Sequence, residues 1–263
     1  MAASLDHIVA STRRRLAGTR TQTVQEVERW AQSHIPRGFR RSLAMVGCTR
    51  PAVIAELKKA SPSRGIIRAA FDPVTLAQEL ESAGAAGLSV LTDEEYFQGS
   101  LENLRLASSA TKLPCLRKDF IVDKFQILEA RANCADAILL IVAALSQEEL
   151  VTLGDRARQY DLDVLCEVHD EEELSRAIDA GFDLIGVNSR DLRTFQVNLQ
   201  TAFRLAEKMP ANILRVAESG INSSSDIKRL REAGYEAFLI GEFLMRAESP
   251  GDALRELLGA SDT

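Results

Sequence analysis

A carboxylate and an ammonium group lie two residues apart where the main body of the chain begins. Glu56 and Lys58 close the segment 53–58, which starts with three apolar residues. Because residues i and i+2 of a strand point to the same face, both charges are expected on one face of an apolar strand. A loop rich in hydroxyl groups follows at residues 61–65. The pattern is typical either of a surface ion pair or of a strand end that opens into an acid–base site.

The elements that would position these residues alternate regularly. Short apolar segments predict strands at residues 53–58, 87–92, 114–118, 137–142, 163–168, 184–188, 214–217 and 237–240. Amphipathic segments predict helices near residues 73–83, 100–109, 123–133, 147–159, 171–180, 199–208, 224–233 and 250–258. Strands this apolar are typical of a parallel sheet covered by helices. Eight such units most simply close into a (β/α)8 TIM barrel, an α/β fold. An open doubly wound sheet is the alternative, although no GxGxxG motif follows the first strand.

Composition indicates a globular protein. Of the 263 residues, 46% are hydrophobic and 27% are charged, with a formal net charge of −6. No apolar run approaches the roughly 18 residues of a membrane helix, and the N-terminal residues lack a signal-peptide pattern. The four cysteines are scattered, which predicts reduced thiols. We therefore expect a cytoplasmic protein with no membrane, nucleic-acid or metal partner, and nothing implies an obligate protein partner.

The first 50 residues predict helices and no strand. An amphipathic pattern covers residues 4–33, and Pro36 and Gly38 end it. Residues 1–51 hold nine Arg, no Lys and three acidic residues, a balance of +6 that leaves −12 for the rest. Such a segment is either a helix with a solvated face or a basic extension that docks on an acidic body. We expect one barrel domain over residues 1–263, with residues 1–50 as its helical extension.

Polar residues gather at one end of the predicted strands. In a (β/α)8 barrel the active site lies at the carboxyl ends of the strands, and nearly all the predicted strands become polar there, with none polar in its middle. The polar residues at these ends are Glu56, Lys58, Thr92, Asp93, Lys118, Asp119, Glu167, Asn188, Arg190, Glu218 and Ser219. Chance placement of surface charges would not choose one end so consistently, so the pattern predicts an active site.

Two further features lie near the same ends. Ser219 and Gly220 follow the seventh strand and Gly241 follows the eighth, where such barrels often bind phosphate through backbone N–H groups. Apolar residues nearby predict either a pocket wall or ordinary loop packing: Phe97, Phe120, Leu139, Ile141, Leu192 and Phe195. His169 lies two residues after Glu167, and we expect a supporting role for it rather than a catalytic one.

The chain resembles the indole-3-glycerol-phosphate synthase family of tryptophan biosynthesis. The resemblance covers nearly all of the chain and rests on IAELKKASPSRG (54–65), VLTDEEYFQGS (90–100), LRKDFIVD (116–123), ADAILLIV (135–142), GVNSRDL (186–192), VAESGI (216–221) and AFLIGEFLMR (237–246). It implies a (β/α)8 barrel whose N-terminal helical extension lies over the barrel mouth. It also implies a carboxy-lyase that converts 1-(2-carboxyphenylamino)-1-deoxyribulose 5-phosphate to indole-3-glycerol phosphate, CO2 and water without cofactor or metal.

The resemblance further implies roles for single residues. Lys118 would be the principal general acid, within reach of Glu56. Glu167 and Lys58 would serve the later dehydration, with the division between them open. Asn188, Arg190 and Glu218 would orient the sugar-phosphate substrate. Its phosphate would bind at Ser61, Ser219, Gly220, Gly241 and Glu242, and its benzene ring at Phe97, Phe120, Leu139, Ile141 and Leu192. Some relatives place Ser where this chain has Glu242, so we expect that carboxylate to turn toward solvent or an Arg while backbone N–H groups hold the anion.

Two other interpretations remain open. The chain could be a different barrel enzyme acting on a sugar phosphate, either an aldolase with a Schiff-base lysine or an isomerase such as phosphoribosylanthranilate isomerase. It could also be an idle barrel used as a binding scaffold, although the full set of charged strand ends argues against that.

Overall fold

The computed structural model describes residues 4–18, 23–191 and 196–259. Within these ranges eight parallel strands close into a barrel, and β1 pairs with β10 to complete it. The barrel strands are β1 (Ala52–Leu57), β4 (Gly87–Leu91), β5 (Cys115–Lys118), β6 (Ala137–Ile141), β7 (Asp163–Val168), β8 (Leu184–Asn188), β9 (Leu214–Glu218) and β10 (Ala237–Ile240). The predicted (β/α)8 barrel is therefore confirmed, with every strand boundary within a residue of its predicted position.

A long helix follows each barrel strand. These helices are α4 (Pro73–Ser82), α6 (Leu101–Ser109), α7 (Lys124–Ala132), α8 (Gln147–Gln159), α9 (Glu171–Asp179), α10 (Gln200–Ala206), α11 (Ser224–Glu232) and α13 (Pro250–Leu258). Asp72, Ser146 and Asp170 cap their helices by accepting hydrogen bonds from backbone N–H groups. Shorter elements are a hairpin of β2 (Ala60–Ser61) and β3 (Gly65–Ile66), helices α5 (Glu94–Phe97) and α12 (Glu242–Arg246), and a 3-10 turn at Val142–Ala144.

Alternate strand residues form two separate hydrophobic clusters. Ile54, Leu139 and Val216 pack inside the barrel, whereas Val53 and Ile138 face the surrounding helices. This alternation follows from the two-residue period of a strand. The described helices include none that is both long enough and apolar enough to cross a bilayer.

The expectation that no strand is polar in its middle was wrong at Ser89 and Arg117. The Arg117 guanidinium is buried between β5 and α7, where it lies 2.9 Å from both the Asp119 and the Glu129 carboxylates. A buried arginine is stable when carboxylates neutralise it and its N–H groups are satisfied. Asp119 also accepts a hydrogen bond from Thr92 Oγ1 at 2.7 Å, so these two strand-end residues hold the strands together.

Three helices precede the barrel: α1 (Leu5–Leu16), α2 (Val24–Ser33) and α3 (Phe39–Gly47). Of these, α1 lies at the mouth, α2 packs along the flank against α7, and α3 lies at the opposite end. The sequence did not predict α3, because Pro36 and Gly38 look like the end of a helical region. Gly38 instead adopts a φ of +80° and begins the new helix, which inserts Phe39 and Leu43 into the barrel interior.

The basic extension docks on acidic residues of the barrel. The buried Asp136 carboxylate accepts hydrogen bonds from the Arg37 backbone N–H at 2.6 Å and from the Arg37 guanidinium, and His34 Nε2 lies 3.2 Å from it. Burial raises the pKa of Asp136, but the bonds from His34 and Arg37 more than offset this and leave it lowered. With the pairs Arg13–Glu149 (2.9 Å) and Arg40–Asp183 (3.0 Å), these contacts favour docking over a solvated face.

Candidate active site

A cavity of about 780 Å³ opens at the carboxyl ends of the barrel strands. Its lining includes every described residue expected to bind or act on the substrate: Glu56, Lys58, Ser61, Phe97, Lys118, Phe120, Leu139, Ile141, Glu167, Asn188, Arg190, Glu218, Ser219, Gly220, Gly241 and Glu242. Thr92 and Asp93, which also lie at a strand end, do not line it. Leu192 and Phe195 lie outside the described residues. All eight barrel strands and several loops beyond them thus bring residues that are far apart in sequence to one place.

Lys118 occupies the centre of the charged part of this cavity. Its Nζ donates to Glu167 Oε2 at 2.9 Å and to Glu218 Oε2 at 2.8 Å. Burial alone would lower the pKa of the ammonium, but the charges of Glu167 and Glu218 outweigh burial and raise it. Lys118 is therefore a charged proton donor held by two carboxylates.

A second ammonium group, that of Lys58, pairs with a different carboxylate, that of Glu56. Lys58 Nζ is 2.5 Å from Glu56 Oε2, which confirms that the two side chains share a face. Lys118 was expected within reach of Glu56, yet its direct carboxylate partners are Glu167 and Glu218, and Glu56 acts on it only through longer-range charge. The cavity therefore holds two separate lysine–carboxylate groups.

The two carboxylates on Lys118 have different surroundings. Glu167 Oε1 accepts a hydrogen bond from Asn188 Nδ2 at 3.2 Å. Burial raises the pKa of Glu167, but Lys118 and His169 outweigh it and hold the pKa below its usual range. Glu218 Oε1 is buried without a hydrogen-bond partner among the described residues. Its burial and the neighbouring Glu167 charge raise the pKa of Glu218 to about 7. The site thus pairs an ionised carboxylate with one that protonates near neutrality.

Two backbone segments line another part of the cavity. Ser219 and Gly220 adopt φ values of +65° and +79°. Residues with a Cβ atom rarely adopt this conformation, whereas glycine adopts it readily. At Gly241 a Cβ atom would collide with the Glu56 carboxylate. Glycine at this position lets β10 end directly against the acid–base residues, with α12 beginning immediately after it.

Glu242 faces three arginines. Its Oε1 lies 3.3 Å from Arg64 Nε and 3.2 Å from an Arg246 nitrogen, and its Oε2 lies 3.8 Å from an Arg190 nitrogen. Arg64 was not among the predicted site residues, although it belongs to the hydroxyl-rich loop after β1. The carboxylate therefore ties that loop to the loops after β8 and β10.

The apolar part of the cavity is built around two aromatic rings. Phe97 and Phe120 have ring centroids 6.2 Å apart. The α1 residues Leu5 and Ile8 also line the cavity, and the sequence indicated them only as part of the amphipathic pattern over residues 4–33. This surface can accept a flat apolar group beside the charged residues.

Comparison with known proteins agrees with this geometry. The family model described as indole-3-glycerol phosphate synthase matches residues 5–257. An indole-3-glycerol phosphate synthase from Koribacter versatilis (strain Ellin345) is 60% identical over 260 residues, which cover 98% of this chain and 100% of that protein. One from Polaromonas sp. (strain JS666) is 48% identical over 258 residues, 97% of this chain and 98% of that protein.

Solved structures at low sequence identity share the fold. A thiamine phosphate pyrophosphorylase from Pyrococcus furiosus superposes with a TM-score of 0.60 at 18% identity, covering 80% of this chain and 94% of that one. A 3-hexulose-6-phosphate synthase superposes with a TM-score of 0.63 at 14% identity, covering 80% and 99%. The structures show the fold alone, whereas the family match and the relatives span almost the whole sequence, and the chain therefore belongs to the indole-3-glycerol phosphate synthase family.

Proposed function

We propose that this chain converts 1-(2-carboxyphenylamino)-1-deoxyribulose 5-phosphate to indole-3-glycerol phosphate, CO2 and water. The observation that carries the proposal is Lys118, a buried ammonium between Glu167 and Glu218 in a cavity that also has an apolar wall. The substrate has a matching distribution of groups, with a benzene ring at one end, a carbonyl in the middle and a phosphate at the other end.

The two ends of the substrate would bind different parts of the cavity. The benzene ring lies against Phe97 and Phe120, with Leu139 and Ile141 completing the wall. The phosphate lies near Ser61, Ser219, Gly220 and Gly241, where backbone N–H groups hold it, and the backbone of Glu242 contributes while its carboxylate stays with the arginines. Asn188 and Arg190 orient the chain between the two ends.

Ring closure requires an acid at the carbonyl oxygen. Lys118 donates a proton there while the ring carbon that bears the carboxylate attacks the carbonyl carbon. Loss of CO2 then restores the aromatic ring, because the C–C bonding electrons return to it. Glu218 lies 2.8 Å from the Lys118 ammonium, and its raised pKa lets it carry a proton near neutrality that replaces the one Lys118 gives to the carbonyl oxygen.

Dehydration completes the indole. The hydroxyl that formed from the carbonyl leaves as water after receiving a proton, and a base removes a proton from the adjacent CH2 group. Lys58 and Glu167 supply this acid and this base between them, and each is already paired with a partner of opposite charge. The four free cysteines support a cytoplasmic location for this chemistry.

Fluorescence provides the direct test. The purified chain, incubated with the anilino substrate, is expected to produce indole fluorescence together with one CO2 per product. Borohydride added with substrate would trap an imine on Lys118 or Lys58 if the chain were a Schiff-base aldolase. Turnover of phosphoribosylanthranilate without indole would instead indicate an isomerase, and no turnover of either compound would indicate a binding scaffold.

A further inference from the structure

His169 contacts the Glu167 oxygen that Lys118 leaves free. It follows β7 directly, and its side chain is 15% exposed. Its Nδ1 lies 3.0 Å from Glu173 Oε2 in the first turn of α9, and its backbone N–H donates to the same oxygen at 2.8 Å. Glu173 therefore fixes both the ring and the backbone of this histidine.

The contact with Glu173 sets the tautomer of the ring. A carboxylate only accepts hydrogen bonds, so Nδ1 carries a proton. Nε2 then lies 3.5 Å from Glu167 Oε1, the oxygen that also accepts from Asn188. Nε2 is buried and has no hydrogen-bond partner among the described residues, so the 3.5 Å approach to Glu167 Oε1 is its one recorded polar contact there.

The approach of His169 Nε2 to Glu167 Oε1 is favourable when one proton lies between them. Without a proton, the Nε2 lone pair would face a negatively charged oxygen in a buried site, which is unfavourable. With one, the pair is either imidazolium and carboxylate or imidazole and carboxylic acid. The groups acting on it are the carboxylates of Glu167, Glu173 and Glu218, with Lys118 on the other Glu167 oxygen. Burial lowers the pKa of His169, but these carboxylates outweigh it and raise the pKa.

We propose that His169 is a positioning residue that orients Glu167 and holds a proton for it. Nε2 releases the proton to Glu167 Oε1 and takes it back, so the transfer is balanced and consumes nothing. Glu167 can thereby meet the acid and base steps of dehydration without drawing on the Lys118 proton. The kinetic part of this inference rests on the proposed function, whereas the coupling between His169 and Glu167 does not.

The coupling is measured by histidine NMR. The chain has only three histidines, and the signal lost in His169→Gln identifies this one. Glu167→Gln and Glu173→Gln each remove a negative charge that favours the imidazolium, so each is expected to lower the pKa of His169 by about one unit or more. Glu171→Gln is the control, because Glu171 lies in the same helical turn but pairs with Lys208. A His169 titration that is the same in Glu167→Gln as in the unmodified chain would overturn the proposal.

Kinetics then tests the role of the proton. His169→Gln keeps an amide that reaches toward Glu167 but cannot titrate. It is expected to lower kcat about tenfold or more with little change in KM, and to move the kinetic pKa that belongs to Glu167 upward, because the imidazolium no longer stabilises the carboxylate. A fall in kcat with an unchanged pH profile would reduce His169 to a structural residue and refute the proposal. Absence of turnover in the unmodified chain would refute the proposed function instead, and the NMR result would stand separately.

Discussion

Lys118 Nζ lies 2.8 Å from Glu218 Oε2 and 2.9 Å from Glu167 Oε2, so two buried carboxylates from different strands share one ammonium. In the described part of the chain, neither Glu167 nor Glu218 pairs with a second Lys or Arg. The His169 imidazole lies 3.5 Å from Glu167. The charge balance of the site therefore depends on one side chain, and changes at Lys118 and Glu218 should have distinct effects.

Lys118→Met should nearly abolish turnover, because it removes the acid that protonates the carbonyl. Positioned acid–base groups contribute ~10²–10⁴-fold in rate, and a loss of kcat in that range is expected. Lys124→Met is the matched control, since Lys124 is an exposed lysine at the start of α7. Circular dichroism should be unchanged in both variants. A kcat within about threefold of the unmodified chain, well short of that range, would remove Lys118 from the mechanism.

Glu218→Gln should change how stability depends on pH. The pKa of Glu218 is raised to about 7, so the folded state binds its proton more tightly than the unfolded state does. This group favours folding fully below the unfolded pKa, and its contribution is lost as the pH rises through the folded value. Between pH 5 and 8 the unfolding free energy of the variant should therefore rise by about 1–3 kcal/mol relative to the unmodified chain. Urea titrations at both pH values measure this, and a pH-independent difference would contradict the raised pKa.

Removal of residues 1–45 should damage activity more than an ordinary terminal truncation would. That deletion takes away Leu5 and Ile8 from the cavity and also Phe39 and Leu43 from the barrel interior. Phe39→Ala alone should cost about 3–5 kcal/mol of stability. Removal of residues 1–17 spares α3, so it should leave the chain folded and mainly raise KM. An unaltered kcat/KM in this shorter deletion would show that α1 does not contribute to binding.

Glu242→Ser should change KM only slightly, within about threefold. Its carboxylate already pairs with arginines rather than pointing freely into the cavity. A free carboxylate about 4 Å from a phosphate would cost roughly 4 kcal/mol at an effective dielectric near 20, which a binding site could not tolerate. Steady-state kinetics measures KM for the variant, and a large fall in KM would mean that the Glu242 carboxylate weakens phosphate binding. A phosphate-bound structure with this carboxylate on the anion would contradict the prediction as well.

Sequence patterns predicted the barrel and the membership of the cavity, because both follow from periodicity. Apolar runs mark the strands, and polar residues at one end mark the mouth. The ion pairs within the cavity were harder to predict from the sequence. Glu56 was expected near Lys118, yet Glu218 reaches the Lys118 ammonium across the barrel. The burial of Arg117 was also missed, since its neutralising partner Glu129 comes from the following helix. Such contacts depend on how far side chains reach in the folded barrel, which sequence spacing does not encode.

The anchoring of the extension has a consequence for the order in which the chain is synthesised. Arg37 binds Asp136, which lies 99 residues later in the sequence, and Phe39 and Leu43 pack against strands as late as β9 and β10. Because a chain leaves the ribosome from its N-terminus, α3 emerges long before the surfaces that bury it exist. Its apolar face must stay uncovered through most of translation, so barrel closure and docking of the extension are expected to form one late, cooperative step.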